Sequence, residues 1–447
     1  MANRKRTDWA VHENRRLIRE RALEIGDGYR AKNSEFGEDG LPFARAGNVN
    51  GDFNFVDADI LDSKSVAKAK EKVSRSEDSV ITTKGTFGRV AFVRGDTPKF
   101  VYSPQLCYWR VLDPATIEPR FLYYWLQGPE FYSQAFQIKS STDMADYASL
   151  RDQRDMRITL PTPATQRKIA AILSAYDELI ENNKRRIALL EKMAEEIYRE
   201  WFVRLRFPGH EKVKFRKGLP EGWKLSPFSD LVTINPLERI DKAEEVPFVA
   251  MEDLALDSMY FTSTQSRKGG QGSKFRNDDV LFPRITPSVE NGKRGFVMIL
   301  QEGQVALGST EFIVFRQKTL TPEHIFFVTC SGEFRKNAEL SMTGASGRQR
   351  VQENCFSFFL VKVPPVDIRN RFSNVVRPFF SQVRLLSQQN ENLQKTRDLL
   401  LPRLISGKLS VENLEVQFPP GMMEEYETPP ESPLHKKGGS GGSEAED

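Results

Sequence analysis

The chain has 447 residues, 39% hydrophobic and 11% aromatic with 31 phenylalanines, enough to fill two or three ordinary cores. Its mean hydropathy is −0.49, it has no run of about 18 uncharged apolar residues, and its N-terminal stretch lacks the basic, apolar, small-residue order of a secretion signal, which argues against membrane spans and export. Three widely spaced cysteines (Cys107, Cys330, Cys355) and four histidines argue against a disulfide framework or a zinc site, so a reducing cytoplasm is the expected location. The net charge of +4 hides an asymmetry: residues 424–447 carry seven acids and two lysines, a net of −5, leaving +9 on the rest. A body with that excess can meet a polyanion.

Residues 1–160 read as a mixed α/β or α+β globule, with short β-branched and aromatic runs such as 100–111, Gly and Pro turns, and one amphipathic helix. Thr82-Thr83-Lys84-Gly85-Thr86-Phe87-Gly88-Arg89 is a cationic glycine-rich loop within it, and Ser140-Ser141-Thr142-Asp143 is a second polar one. Residues 161–217 read as a helical spacer. Ile169, Leu173, Tyr176, Ile180, Asn183, Ile187, Leu190, Ala194, Ile197 and Trp201 return at three- and four-residue steps. A helix over 165–205 would be about 60 Å long.

Residues 218–363 return to the mixed pattern, with a strand-like run at 296–315. From Arg267 to Arg294 seven basic residues stand against three acidic ones, and a later loop reads Thr343-Gly344-Ala345-Ser346-Gly347-Arg348-Gln349-Arg350. Residues 364–415 predict a second helical spacer with the stripe Phe372, Val376, Phe380, Val383 and Leu386, split or kinked at Pro378. Asn182, Asn183, Gln388, Gln389, Asn390 and Asn392 fall in the middle of the two arms; amides buried at a seam fix register, and a solvated helix face carries the same residue types. Residues 416–447, acidic with a Gly/Ser run, read as a flexible tail.

The second half repeats the first. Pro119 pairs with Pro322, Glu130-Phe131 with Glu333-Phe334, Ala135 with Ala338, Pro161 with Pro364 and Leu190 with Leu393, all 203 residues apart. Upstream the offset wobbles: 205 for Pro42-Phe43 with Pro247-Phe248, 206 for Ser103 with Ser309, and 200 for Asp78 and Val80 with Asp278 and Val280. That period fits a duplicated domain, each copy with its own helical arm. Two long apolar stripes in one chain most simply pack on each other.

Catalytic signatures are missing their essential members. Phe418-Pro419-Pro420-Gly421 lacks the Asn or Asp and the aromatic residue of an amine methyltransferase, and the Gly303 to Gly308 spacing puts Ser309 where a phosphate loop needs lysine. Asp62-Ser63-Lys64 has the acid-x-lysine step of metal nucleases without an upstream Pro-Asp pair. His12, His210, His324 and His435 lie in separate segments. No catalytic or metal-binding residue is assigned. The candidate DNA contacts are Lys84, Thr86 and Arg89 in the first globule, and Arg284, Thr286, Lys293, Arg294, Arg348 and Gln349 in the second. Glycines there allow close backbone approach, cations release counterions, and Arg and Gln match guanine and adenine edges. A solvated loop has the same composition.

Pro220-Glu221-Gly222-Trp223-Lys224-Leu225, the segment from Pro161 to Ile169, and Leu399-Leu400-Leu401-Pro402-Arg403-Leu404-Ile405-Ser406-Gly407-Lys408-Leu409 together resemble the DNA-specificity subunits of type I restriction-modification systems, over about residues 1–415. The Glu-Gln usual near each arm start in that family is here Thr165-Gln166 and Ile368-Arg369. The resemblance implies an α+β fold: two similar target recognition domains separated by two long helices packed as an antiparallel coiled coil, with a pseudo-twofold internal repeat. It implies double-stranded DNA as ligand, each domain reading one half of a bipartite site and the helices setting the gap. It further implies a non-catalytic chain that docks two methyltransferase subunits and two motor-nuclease subunits, S-adenosylmethionine, ATP and magnesium residing in those partners. The assembled complex would be an adenine-specific DNA methyltransferase and ATP-dependent endonuclease of host defence. Two other readings stay open on the residues alone: a helical scaffold that joins protein partners without DNA readout, and a nuclease using Asp62 and Lys64.

Overall fold

The structure, a computed structural model, describes residues 9–84, 87–140, 149–256, 258–263, 265–345, 348–419 and 422. It divides into two compact units, residues 1–179 with 393–447 and residues 180–392. Each unit is α+β and contains one globule and a part of each of two long helices.

In the first unit the strands Leu23–Asp27, Leu106–Val111, Ser79–Thr82 and Val90–Phe92 form a sheet in that order, every neighbour antiparallel. Leu106 to Trp109 are buried on both faces, so the strand reads as a continuous apolar run instead of an alternation. A second sheet holds Ile60–Asp62, Gly40–Ala44 and Val101–Tyr102, and Ala10–Glu13 pairs with Arg157–Leu160. Trp109, Trp125 and Phe131 meet in the core with ring centroids 5.7, 6.0 and 6.3 Å apart. Val416, Phe418 and Met422, placed by sequence at the head of the tail, pack against this core, and residues 423–447 lie outside the described residues.

The second unit repeats the plan. Val232–Ile234, Phe312–Gln317, Val280–Pro283 and Gly295–Phe296 form the equivalent sheet in the same order. Gln265–Lys268, Glu245–Val249, Ala306–Gly308 and Ser273–Phe275 form the other, and Lys224–Pro227 pairs with Leu360–Val363. The register corrects the sequence alignment at one point. Ser79 faces Trp109 as Val280 faces Phe315, so Asp78 corresponds to Asp279, 201 residues on, and not to Asp278. Adjacent aspartates hid the slip, and the backbone resolves it: Glu77 at φ 71° and Asp278 at φ 73° hold the same left-handed turn position. That turn lets the carboxylates of Asp78 and Asp279 accept from the N–H groups of Arg75 and Arg276 at 2.8 and 2.9 Å.

The first long helix, Pro163–Tyr198, has 36 residues and a length of about 54 Å. It ends in a wider turn, Arg199–Val203, in which the Arg204 N–H reaches the Arg199 carbonyl at 2.8 Å before Leu205 leads the chain away at φ 59°. The second, Val366–Ile405, is a single helix of 40 residues that runs through Pro378, so of the split or kink expected there the split does not occur. A proline inside a helix costs about 3 kcal/mol through its missing donor and ring clash. Phe372, Val376, Phe380 and Val383 flank it at 0–2% exposure, each burial contributing roughly 1.5–3 kcal/mol, and so keep the helix intact.

The two helices pack antiparallel. In the second unit Asn183 Nδ2 donates to Asn390 Oδ1 at 3.0 Å and Asn390 Nδ2 donates to the Ile180 carbonyl at 3.3 Å, while in the first unit Arg397 pairs with Asp177. Asn183 and Asn390 are the buried seam amides; Asn182, Gln388, Gln389 and Asn392 lie on exposed faces. The helix heads are tied alike despite different residues. Gln166 Nε2 donates to the Thr116 carbonyl at 3.1 Å, and Arg369, 203 residues on, donates through Nη1 to the Thr319 carbonyl. Among the described residues no helix is long and apolar enough to cross a membrane.

Candidate nucleic-acid interface

In the first unit the cationic loop joins Ser79–Thr82 to Val90–Phe92. The Thr82 N–H donates to the Arg89 carbonyl at 3.0 Å, the Arg89 N–H to Thr82 Oγ1 at 3.0 Å, and the Gly88 N–H to the Thr82 carbonyl at 3.1 Å. Gly88 sits at φ 93°, a conformation glycine adopts freely, and the Tyr132 hydroxyl donates to its carbonyl at 3.1 Å. Lys84 and Arg89 are exposed on this clamped frame. Thr86 lies outside the described residues, as do Ser141, Thr142 and Asp143.

In the second unit two segments distant in sequence come together. The Arg284 N–H donates to the Glu311 carbonyl at 2.9 Å, the Val351 N–H to the Arg284 carbonyl at 2.8 Å, and the Thr286 N–H to the Gln349 carbonyl at 3.2 Å. Arg284, Thr286, Arg348 and Gln349 therefore share one edge, with Arg348 exposed and Gln349 and Thr286 half-buried. Arg284 Nη1 lies 3.5 Å from Glu353 Oε1, which also accepts from Asn235 Nδ2 at 2.9 Å. Lys274, Arg284, Asn235, Glu238 and Thr310 line a cleft of about 370 Å³ beside that edge.

Lys293 and Arg294 have partners inside the globule, as do Arg89, whose Nη1 donates to the Val49 carbonyl at 3.4 Å, and Arg284, whose Nη2 donates to the Val351 carbonyl at 3.4 Å. The Lys293 amine donates to the Met251 carbonyl at 2.9 Å, and Arg294 Nη1 donates to the Gly292 carbonyl at 2.9 Å while its guanidinium carbon sits 5.8 Å from the Phe326 ring centre. Composition marked them as phosphate-capable; their geometry ties down the loop that carries them. Asp62 likewise has a structural role, capping the helix Ser63–Ala69 by accepting from the Ser65 N–H at 2.8 Å and its hydroxyl at 3.0 Å. His324 is fully enclosed, stacked 4.2 Å from Phe202, and burial with Arg369 nearby pushes its pKa down to about 3.

Sequence reading missed one pair on the shared edge. Arg350 Nη2 and Nε donate to Glu311 at 2.7 and 2.9 Å, and that hydrogen bonding holds the Glu311 carboxyl below the usual carboxylate range. Its signal was half visible, since Arg350 closes the loop containing Arg348 and Gln349, but nothing in the sequence ties it to Glu311.

Comparison with known proteins bears on this arrangement. Residues 24–192 match the family model for the type I restriction modification DNA specificity domain. The chain is 25% identical over 276 residues to the type I restriction enzyme MjaIX specificity subunit of Methanocaldococcus jannaschii, spanning 58% of this chain and 62% of that one. It is 28% identical over 204 residues to the EcoEI specificity subunit of Escherichia coli, spanning 44% of this chain and 34% of that one. The match thus covers less than two thirds of either relative. The fold is similar to that of the type I restriction-modification system S subunit from M. genitalium, with a TM-score of 0.54 at 14% identity over 90% of this chain and 98% of that one.

Proposed function

We propose that this chain, a member of the DNA-specificity subunit family of type I restriction-modification systems, binds double-stranded DNA at a bipartite site, each globule reading one half. The long helices set the gap between the halves and dock two methyltransferase subunits, which two motor-nuclease subunits then join. The chain itself supplies recognition and no catalysis. S-adenosylmethionine, ATP and magnesium belong to the partners, and the assembly acts in the cytoplasm as an adenine methyltransferase and ATP-dependent endonuclease. Lys84 and Arg89 in one globule, and Arg284, Thr286, Arg348 and Gln349 in the other, are the residues we assign to DNA contact.

One observation supports this reading above the others. The two globules share a frame down to their buried ion pairs, Asp78 with Arg110 and Asp279 with Arg316, yet differ at their loop edges, where Thr83 and Gln105 stand in one and Arg284 and Glu311 in the other. Equal frames with unequal edges suit two readers of different sequences. The test is co-purification with a methyltransferase subunit of a type I system, then selection from a random duplex library at two salt concentrations. A split motif with a fixed gap is expected. A stable complex that enriches no motif and shows no salt dependence would leave a protein scaffold as the better account.

A further inference from the structure

We infer that Arg350 is a base-reading residue of the second globule, with Glu311 as its positioning residue, and that the base it reads is guanine. The inference rests on the DNA-binding reading above and adds a specificity determinant to it. Arg350 is fixed at its backbone from two sides: its N–H donates to the Thr343 carbonyl at 2.9 Å, the Thr343 N–H donates back at 3.1 Å, and it forms a bridge with Ile285. Gln352 Nε2 donates to the Arg350 carbonyl at 3.2 Å and to Thr343 Oγ1 at 2.7 Å, closing the loop behind it.

The side chain is equally constrained. Its hydrogen bonds to Glu311 come from Nε, at 2.9 and 3.1 Å, and from Nη2, at 2.7 Å. A guanidinium has five N–H groups in a planar fork. Engaging Nε and one Nη2 hydrogen with a carboxylate leaves a parallel pair, one N–H on each Nη, directed outward along the side-chain axis. That pair matches the O6 and N7 acceptors of guanine in the major groove. Arg350 is 48% exposed and Glu311 21%, so the carboxylate lies deeper and the fork faces out. Holding the fork in advance removes rotamer entropy that a free arginine loses on binding.

The comparison between globules points the same way. Position 311 corresponds to Gln105, as Ser309 does to Ser103, and Gln105 Oε1 accepts from the backbone N–H of Ala46 at 3.0 Å. The first globule thus uses this position to hold its own frame, and the second uses it to aim a cation beside Arg284. A difference confined to the edge, on a shared frame, is where unequal half-sites would be encoded.

The experiment determines the recognition motif of the complex with its methyltransferase, for the unaltered chain and for Arg350→Lys, Arg350→Ala and Glu311→Gln, with thermal unfolding of each variant. Arg350→Lys keeps the charge and loses the fork, so preference for guanine at a single base pair of one half-site should fall about 10- to 100-fold, with the other half-site unchanged. Glu311→Gln should weaken preference at that same base pair. A motif unaltered by Arg350→Lys and Arg350→Ala, or a uniform loss across all sequences, overturns the assignment and leaves DNA reading by the chain intact. An unaltered chain that enriches no motif overturns the proposed function, and this assignment with it.

Discussion

Arg110 closes on Asp78 through two hydrogen bonds of 2.6 and 2.7 Å, with 4% and 0% of the side chains exposed. Arg316 and Asp279 repeat the pair at 2.7 and 2.6 Å in the second globule. Each joins the central strand of its sheet to the turn before the neighbouring strand, so the pair fixes register where the two copies diverge in sequence. Removing one partner strands a buried charge, at a cost of about 3–5 kcal/mol. Arg110 also donates to the carbonyls of Glu71 and Val73, so its loss opens further gaps. Arg110→Ala and Arg316→Ala should each lower urea-unfolding stability by at least that amount. A change under about 1 kcal/mol, the range of an exposed pair, would mean the pair is solvated.

The seam amides make a separable prediction. Asn183→Ala removes the donor to Asn390 and leaves a buried oxygen without its partner, costing about 1–3 kcal/mol, whereas replacing both asparagines by leucine should be neutral or stabilising. A double-mutant cycle read by urea unfolding measures the coupling. If both single substitutions are neutral, the pair is not desolvated in solution.

Much of this architecture was legible in the sequence because it rests on periodicity. The three- and four-residue steps from Ile169 to Trp201 give the first helix, and the 203-residue offset gives the duplication. Other features do not follow from periodicity. At Pro378 local chemistry allows a split or a kink, and burial of Phe372, Val376, Phe380 and Val383 around it keeps the helix whole. Identity pairs Asp78 with Asp278, while the left-handed turn at Glu77 and Asp278 decides the equivalence with Asp279. Lys293 and Arg294 share composition with their neighbours, and the sequence does not show that the Met251 carbonyl and the Phe326 ring stand beside them. Side-chain direction depends on tertiary contacts that charge counting cannot see.

His324 should set part of the acid sensitivity of the second unit. In the unfolded chain its pKa is about 6.5. In the fold, among Phe202, Tyr198 and Phe372 and with Arg369 nearby, it is about 3. Between these values the unfolded state binds a proton that the folded state does not, so stability falls as pH falls, by about 1.4 kcal/mol per pH unit. From pH 7 to pH 5 the loss from this group is about 2 kcal/mol, beginning near pH 6.5. His324→Phe should flatten the stability profile by that amount over that interval. Equal slopes for the two proteins would show that the imidazole is accessible to protons in the fold.

Salt dependence separates the cations that meet phosphate from those that hold the globule together. Removing one cation from a phosphate reduces the slope of log K against log salt by about 0.9. Arg348 is exposed, and its backbone N–H is engaged with the Ala345 carbonyl at 3.0 Å, so Arg348→Ala should lower affinity and reduce the slope or relax one base pair, without affecting the thermal midpoint. Lys293→Ala deletes the donor to Met251 and should act the opposite way, lowering the midpoint with the slope unchanged. Filter binding of the methyltransferase complex across a salt series, with a melt of each variant, reads both effects. A reduced slope for Lys293→Ala would place its amine on DNA and return it to the interface that composition first suggested.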